Sequence, residues 1–533
     1  MIRPFIKPFV RPAVQSIMGD STPPNVFDPM DLSPEIWLTP GDSAEVTLDA
    51  NGYVSQATDQ SGNNNHGTTG TESIRAAYGY RVGGEKALAF QGTLNGLDVD
   101  KGSQMVTPWT PTSDFWVALF VQRGPQRNSG SGSSVRTFFT SGPASGNEIS
   151  VGTRDSNDAV DNTIYYFNQT SGGVVQTAND SFQTGDRAVV FLQYSRTNYA
   201  RVYRDNVLVL DHSTDVNTVP GPLWIGSSDH LDERSFNGLI PEFIGGNGIL
   251  ADEDRIALCN YLAKYNTGAS ETLITQITNT ATHVKDATQG VAISSDGFVF
   301  TATTPHSTSK FIVTTYNADM STSLQTYDTS ADLPVDADQS NSLYFDEGTD
   351  KLYVGANNYN VTSPRKGWIL EYDVNTSTGA LTFVARYDVG SNWCEGCTKG
   401  PNGNFFVFYH DDWAIHEYST SWTLVTRHVL DVSDPRRTAP GNTIELIQGG
   451  RFIGNILYFT LHNANDREPE IYAFRWNGSG FDGVQQGLYP GPDAGQGFDI
   501  DGTTMLQSAR LANNVDAPRI LESTIQTRTA LVG

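Results

Sequence analysis

Apolar and polar residues alternate along most of this chain, and the period of the alternation is two. The stretches FWVALFVQRG (115–124), RAVVFLQYS (187–195) and YARVYRDNVLVLDH (199–212) read as strands, because side chains on a strand point alternately to its two faces. Within the last of them Arg204-Asp205-Asn206 reads as a hairpin turn. One stretch has a different period. LADEDRIALCNYLAKYN (250–266) sets Ile256, Cys259, Leu262 and Ala263 at helical spacing, with Asp252 and Glu253 in the first turn, where a helix dipole favours acids. From Ile36 to Asn266, then, the pattern predicts a series of strands ended by one helix.

Beyond residue 280 one theme returns five times. DATQG (286–290), DADQS (336–340), NWCEG (392–396), ELIQG (445–449) and DAGQG (493–497) all fit an Asp, Asn or Glu, two residues, Gln or Glu, then Gly or Ser. The spacing is about fifty residues, and each copy leads into an apolar strand, a hairpin and a third strand, as in SLYFDEGTDKLYVGA followed by GWILEYDVN. One small sheet cannot bury both its faces, so a repeat of three or four antiparallel strands at this period predicts the blades of a propeller packed around an axis. Five copies imply five blades. The segment ETLITQITN (271–279) precedes the first copy and is expected to add a strand to the last blade, closing the ring.

The innermost strand of each propeller blade lines the central channel, so a motif at its start recurs as a ring at one mouth. Gln289, Gln339, Glu395, Gln448 and Gln496 are expected in one layer, with Asp286, Asp336, Asn392, Glu445 and Asp493 above it. The small residue that follows lets five backbones converge. Two readings of this layer stand: amides that satisfy one another and ordered water, or a polar pocket for a sugar, a cation or a partner's side chain. Cys394 and Cys397 form a Cys-x-x-Cys pair, but no second pair exists and the motif lies at a blade entry, so they read as small residues filling a crowded mouth. HDDWAIHEY (410–418) groups two His with carboxylates and reads as a strand with one wet face.

The first half resembles the concanavalin A-like jelly rolls of the laminin-G type. IWLTPGD (36–42), ATDQSGNNNHGT (57–68), ALAFQGTLNGLDV (87–99) and LWIGSSDHLDERSFNGLIPEFIGG (223–246) match the opening strand, the Asp-x-Ser-Gly-Asn turn, the strand after it and the closing strands of that family. The resemblance implies a sugar- or protein-binding module, in some members with calcium. No carboxylate cluster here has convincing calcium-ligand spacing, and Asp59 with Asn63-Asn64-Asn65 reads as a self-bonded turn rather than a metal site. The expected architecture is therefore all-β: a concanavalin A-like jelly-roll sandwich over 36–266, then a five-bladed β-propeller over 267–533, with no cofactor.

Charge narrows the partners. With 34 Lys+Arg against 59 Asp+Glu the net charge is -25, which argues against nucleic acid, and no apolar run approaches a membrane span. The three cysteines cannot make a disulfide framework. Cations concentrate in one place, the opening MIRPFIKPFVRPAVQSIMG (1–19), where RPFI, KPFV and RPAV repeat a cation, a proline and two apolar residues. Charges every four residues exclude an ordinary secretory signal, and Pro4, Pro8 and Pro12 exclude a helix. As an extended peptide it would set Arg3, Lys7 and Arg11 on one side, with Phe5 and Phe9 beside them, and a Pro/Asp/Ser linker (20–35) follows.

Such an opening before binding modules resembles bacteriophage virion proteins: tail fibres, tailspikes or head fibres whose short N-terminus plugs into the particle. That resemblance implies a structural protein of the virion, homo-oligomeric, held by other virion proteins and attaching to a host-surface glycan or receptor, not an enzyme. A polysaccharide depolymerase working at the propeller mouth through Glu395, and a purely structural decoration protein, are the alternatives.

Overall fold

The computed structural model describes residues 27–533 apart from 51, 70–74, 91–102, 126–134, 143–147, 155–162, 169–172, 178–181, 213–220, 228–235, 286–288, 304–310, 338, 360–362, 411, 434–443, 464–469, 489–493 and 511–518. The basic peptide of residues 1–19, expected to plug into a particle, lies outside them.

Two antiparallel sheets face each other in the first half. One has eight strands, with Asp114–Arg123 and Arg187–Ser195 side by side at its middle and Gly238–Asn247 next to the former. The other has nine, from Gly173–Gln176 at one edge to Val46–Leu48 at the other. Between them lie Phe115, Val117, Leu119 and Val121 with Phe138, Phe139, Ile149 and Ile225. The alternate residues of the same strand, Trp116, Ala118 and Phe120, are buried in a second core on the outer side of the sheet. FWVALFV is continuously apolar because both faces of that strand are covered. The hairpin turn falls where expected, with Asp205 and Asn206 both at positive φ, as a tight two-residue turn requires. Asp59 is a turn residue: its carboxylate accepts from the N–H groups of Trp37, Ser61 and Asn65.

The helix, Asp252–Leu262, packs on that outer face, but rotated from its expected register. Its buried residues are Arg255, Leu258, Cys259 and Leu262, whereas Ile256 is 41% exposed and Ala263 is exposed as well. The cause is Arg255. Its guanidinium lies 4.1 Å over the Tyr203 ring and donates to Asn206, so a charged residue takes a position that an apolar pattern assigns to the surface.

The second half is a five-bladed propeller of four-stranded sheets. Their inner strands are Gly290–Ser294, Gln339–Asp346, Cys394–Lys399, Ile444–Ile453 and Ala494–Asp501. Blades 1 to 4 are each continuous in sequence. Blade 5 takes its inner three strands from the C-terminal part and its outer strand, Ala269–Val284, from the residues just after the helix, paired along Arg519–Val532. The ring is thereby closed by backbone hydrogen bonds between its two ends.

The halves are welded together. The core that holds Trp116, Phe120 and Tyr80 of the sandwich also holds Trp413, Phe459 and Phe474 of the propeller. A short stretch leaving blade 3 runs along the edge of the sandwich: Tyr78 and Ser433 exchange hydrogen bonds of 2.7 and 2.8 Å, and the Ser433 hydroxyl donates to the Gly52 carbonyl. Lys86 pairs with Asp431 at 2.7 Å and Arg528 with Asp186 at 2.6 Å.

Candidate functional site

The five inner strands approach so closely at one mouth that four of the five axial residues are glycine. A Cβ on Gly290 would lie 2.9 Å from the Cα of Ser342, on Gly396 2.9 Å from its Cβ, and on Gly449 and Gly497 2.5 and 3.0 Å from its hydroxyl oxygen. Ser342 fills the axis and the glycines surround it. The mouth is therefore a shallow cup whose floor is closed by one serine.

This corrects the expected ring. In blade 2 the axial small residue is Ser342 and not Ser340, so the amide that precedes it is Asn341 and not Gln339. The reason is a bulge: pairing with the neighbouring strand slips between Ser340 and Leu343, two residues further along than the motif implies. Equivalent slips occur at Cys394/Gly396, Ile447/Gly449 and Gly495/Phe498, each at the motif itself. Bulges there turn the side chain before the glycine, and among the described side chains the resulting layer is Gln289, Asn341, Glu395 and Gln448, all buried.

Of the other expected residues, Asp336 lies in a turn before blade 2 and pairs with Lys366 at 2.6 Å. Gln339 pairs across to Asn357, and Asn392 is half-buried beside Gly367. Asp286 and Asp493 lie outside the described residues, as do the side chains of Glu445 and Gln496.

Between blades 2 and 3 the cup has a distinctive wall. Glu395 is hydrogen-bonded to Nδ1 of His410 at 3.2 Å, and the His410 backbone N–H donates to the Trp393 carbonyl. The Trp393 indole N–H donates to the Asn358 carbonyl at 3.1 Å, while the Asn358 side chain ties down the following loop through Pro364 and Lys366. Tyr359 lies 5.1 Å from Trp393 and 5.5 Å from His410, ring centre to ring centre, and the Arg365 guanidinium lies 4.1 Å over Trp393. Asn341 and Asn357 both donate their amides to the Cys394 carbonyl, at 2.8 and 3.2 Å. Asn341, Asn357 and Tyr359 were not singled out from the sequence, and His410 was noted only as part of HDDWAIHEY, read as a strand with one wet face. They occupy strand ends and connections that differ from blade to blade, whereas Trp393 and Glu395 fall inside the repeated motif.

Beneath Ser342 the channel is filled by an ion pair. Arg451 lies 3.3 Å from Asp499 and 4.9 Å from the centre of the Tyr344 ring. Burial raises the Asp499 carboxyl above its ordinary range, with Arg451 and the N–H groups of Ile293 and Ile500 opposing that rise. The thiols take no part in the cup: Cys394 and Cys397 lie in the apolar cluster with Val407 and Tyr409. Burial pushes both well above the ordinary thiol range, which leaves them protonated and poorly nucleophilic at neutral pH.

No family model and no curated protein matches the chain. Among solved structures, domain 4 of AbnA, a GH43 extracellular arabinanase from Geobacillus stearothermophilus, is 17% identical, covering 42% of this chain and 98% of that one with a TM-score of 0.30. The exo-β-1,3-galactanase 1,3Gal43A from Clostridium thermocellum is 11% identical over 48% of this chain and 65% of its own, with a TM-score of 0.35. The binding domain of Paraclostridial Mosquitocidal Protein 1 is 9% identical over 94% and 93%, with a TM-score of 0.30. At these identities and scores none of the three likenesses bears on function.

Proposed function

We propose that this chain is a non-enzymatic glycan-binding protein of a phage particle, with the sugar received in the cup at the propeller mouth and the N-terminal peptide seated in the particle. The observation that carries the binding site is the aromatic wall. Tyr359 is 38% exposed at the rim and backed by Trp393 and His410, beside a floor of amides and one carboxylate. A pyranose has apolar C–H faces and hydroxyl edges. Aromatic rings cover the faces, and directed amide and carboxylate groups select the edges. The seat in the particle is supported by the sequence of residues 1–19, with its cations at Arg3, Lys7 and Arg11 and helix-disfavouring prolines at Pro4, Pro8 and Pro12.

Binding of the full chain to a glycan array, and adsorption to host cells, test the reading. Tyr359→Ala removes one stacking face, a loss of about 1 kcal/mol or somewhat more, and is expected to weaken binding roughly five- to tenfold without affecting folding. Trp393→Ala is expected to cost more because it also releases Asn358. Undiminished binding by both variants overturns the site. Reducing ends released from host polysaccharide, and lost in Glu395→Gln, would show a depolymerase instead. Fully decorated particles made from a gene lacking residues 1–19 would overturn the anchor.

A further inference from the structure

We infer that the floor of the cup binds a hard divalent cation of the calcium class, through the carboxamide oxygens of Gln289, Asn341 and Asn357 and the carboxylate of Glu395. The inference is independent of the glycan reading. Gln289 Oε1, Asn341 Oδ1 and Asn357 Oδ1 have no hydrogen-bond partner among the described residues, and the three side chains are only 4%, 1% and 0% exposed. Buried amide oxygens are seldom left so, because their desolvation is costly. Gln339 Oε1 is a fourth, on the residue paired across from Asn357.

These oxygens share a neighbourhood. Asn341 and Asn357 send their amide N–H groups to the same acceptor, the Cys394 carbonyl, which fixes both orientations and leaves both oxygens pointing elsewhere. Gln289 precedes Gly290, whose Cβ would lie 2.8 Å from the Asn341 carbonyl oxygen. Glu395 directly follows Cys394 and brings a carboxylate, hydrogen-bonded to Nδ1 of His410 at 3.2 Å.

The result is a set of acceptors without matching donors. One water brings two protons, too few for three amide oxygens. A hard cation accepts six to eight oxygens, neutral and charged, and is the ligand that such a set suits. Among the described residues no group of three His, Cys, Asp or Glu could hold a metal, so this site is built from carboxamides. With one carboxylate its affinity should fall in the weak range of extracellular calcium modules, roughly 0.1–1 mM.

The test uses the full chain, stripped with chelator and titrated with Tb3+, which takes the oxygen donors of Ca2+ and emits when an adjacent tryptophan, here Trp393, is excited. Sensitised emission displaced by Ca2+ and not by K+ is expected. Asn341→Leu and Glu395→Gln should weaken both ions about tenfold or more, through loss of a ligand or of the charge. Asn357→Asp keeps the shape and adds a charge. It should lower the melting temperature in chelator and enlarge the rise that Ca2+ produces, so it decides the matter even if Asn341→Leu fails to fold. Ca2+-dependent melting and Tb3+ emission that are the same in wild type and variants, or displacement by K+ as effective as by Ca2+, would overturn the inference.

Discussion

Removing the last strand, Arg519–Val532, is expected to unfold the propeller as a whole. The strand buries Ile520, Leu521, Ile525 and Val532, each of which contributes about 1.5–3 kcal/mol by leaving water. Together they rival the entire stability of an ordinary domain, about 5–15 kcal/mol. The damage also spreads beyond those side chains. Ala269–Val284 pairs only with this strand within its sheet, so its removal leaves an unpaired outer strand and a two-stranded remnant of blade 5 between blades 4 and 1. Near-UV circular dichroism and size exclusion should report loss of fixed packing or aggregation. A truncated chain that melts cooperatively at the wild-type temperature would show that the ring is not closed through this pairing.

Gly79→Ala is expected to loosen the weld between sandwich and propeller, and Gly84→Ala to leave it intact. Both glycines have positive φ, so both substitutions carry a similar backbone strain, about 1–3 kcal/mol. They differ in what the new methyl meets. At Gly79 it would lie 2.1 Å from the Asp431 carbonyl oxygen and 2.8 Å from the Val432 Cα, backbone of the propeller that cannot swing aside. At Gly84 there is nothing within 4 Å. The difference between the two variants should therefore be a further 1–3 kcal/mol or so of overpacking, confined to the interface. Because the aromatic core is shared, the wild type should melt in one transition and Gly79→Ala should split it. Equal melting of the two variants would mean that the halves are not docked through this edge.

Much of this fold can be read from the sequence because it repeats. The five motif copies mark five inner strands, and the segment before the first copy is the outer strand that closes the ring. What repetition conceals is register. DADQSNS offers two amide-plus-small pairs, Gln339-Ser340 and Asn341-Ser342, and only the slip between Ser340 and Leu343 shows that the second reaches the axis. The buried face of the helix departs from its apolar pattern for a similar reason. A periodic pattern gives Arg255 no credit for its stem and for the Tyr203 ring it covers.

The candidate site was legible only in part. Glu395 stands out as the one carboxylate in a layer of amides. His410, Tyr359 and Asn357 lie 15 to 38 positions away from it in the chain and belong to no repeat, so only folding unites them. Asymmetry between blades turns a ring of similar residues into one wall with distinct chemistry, and no alternation or spacing encodes it. The sandwich was recognisable as a fold, yet lectin-like sandwiches also bind sugars, so the architecture alone leaves two places for a ligand.

Hydrogen exchange of the full chain with and without a bound oligosaccharide distinguishes those two places most directly. Protection is expected at the backbone amides around Asn358–Tyr359, Trp393–Glu395 and His410, with the sandwich strands unchanged. Protection confined to the sandwich, with the propeller mouth unaffected, would contradict a glycan site in the cup.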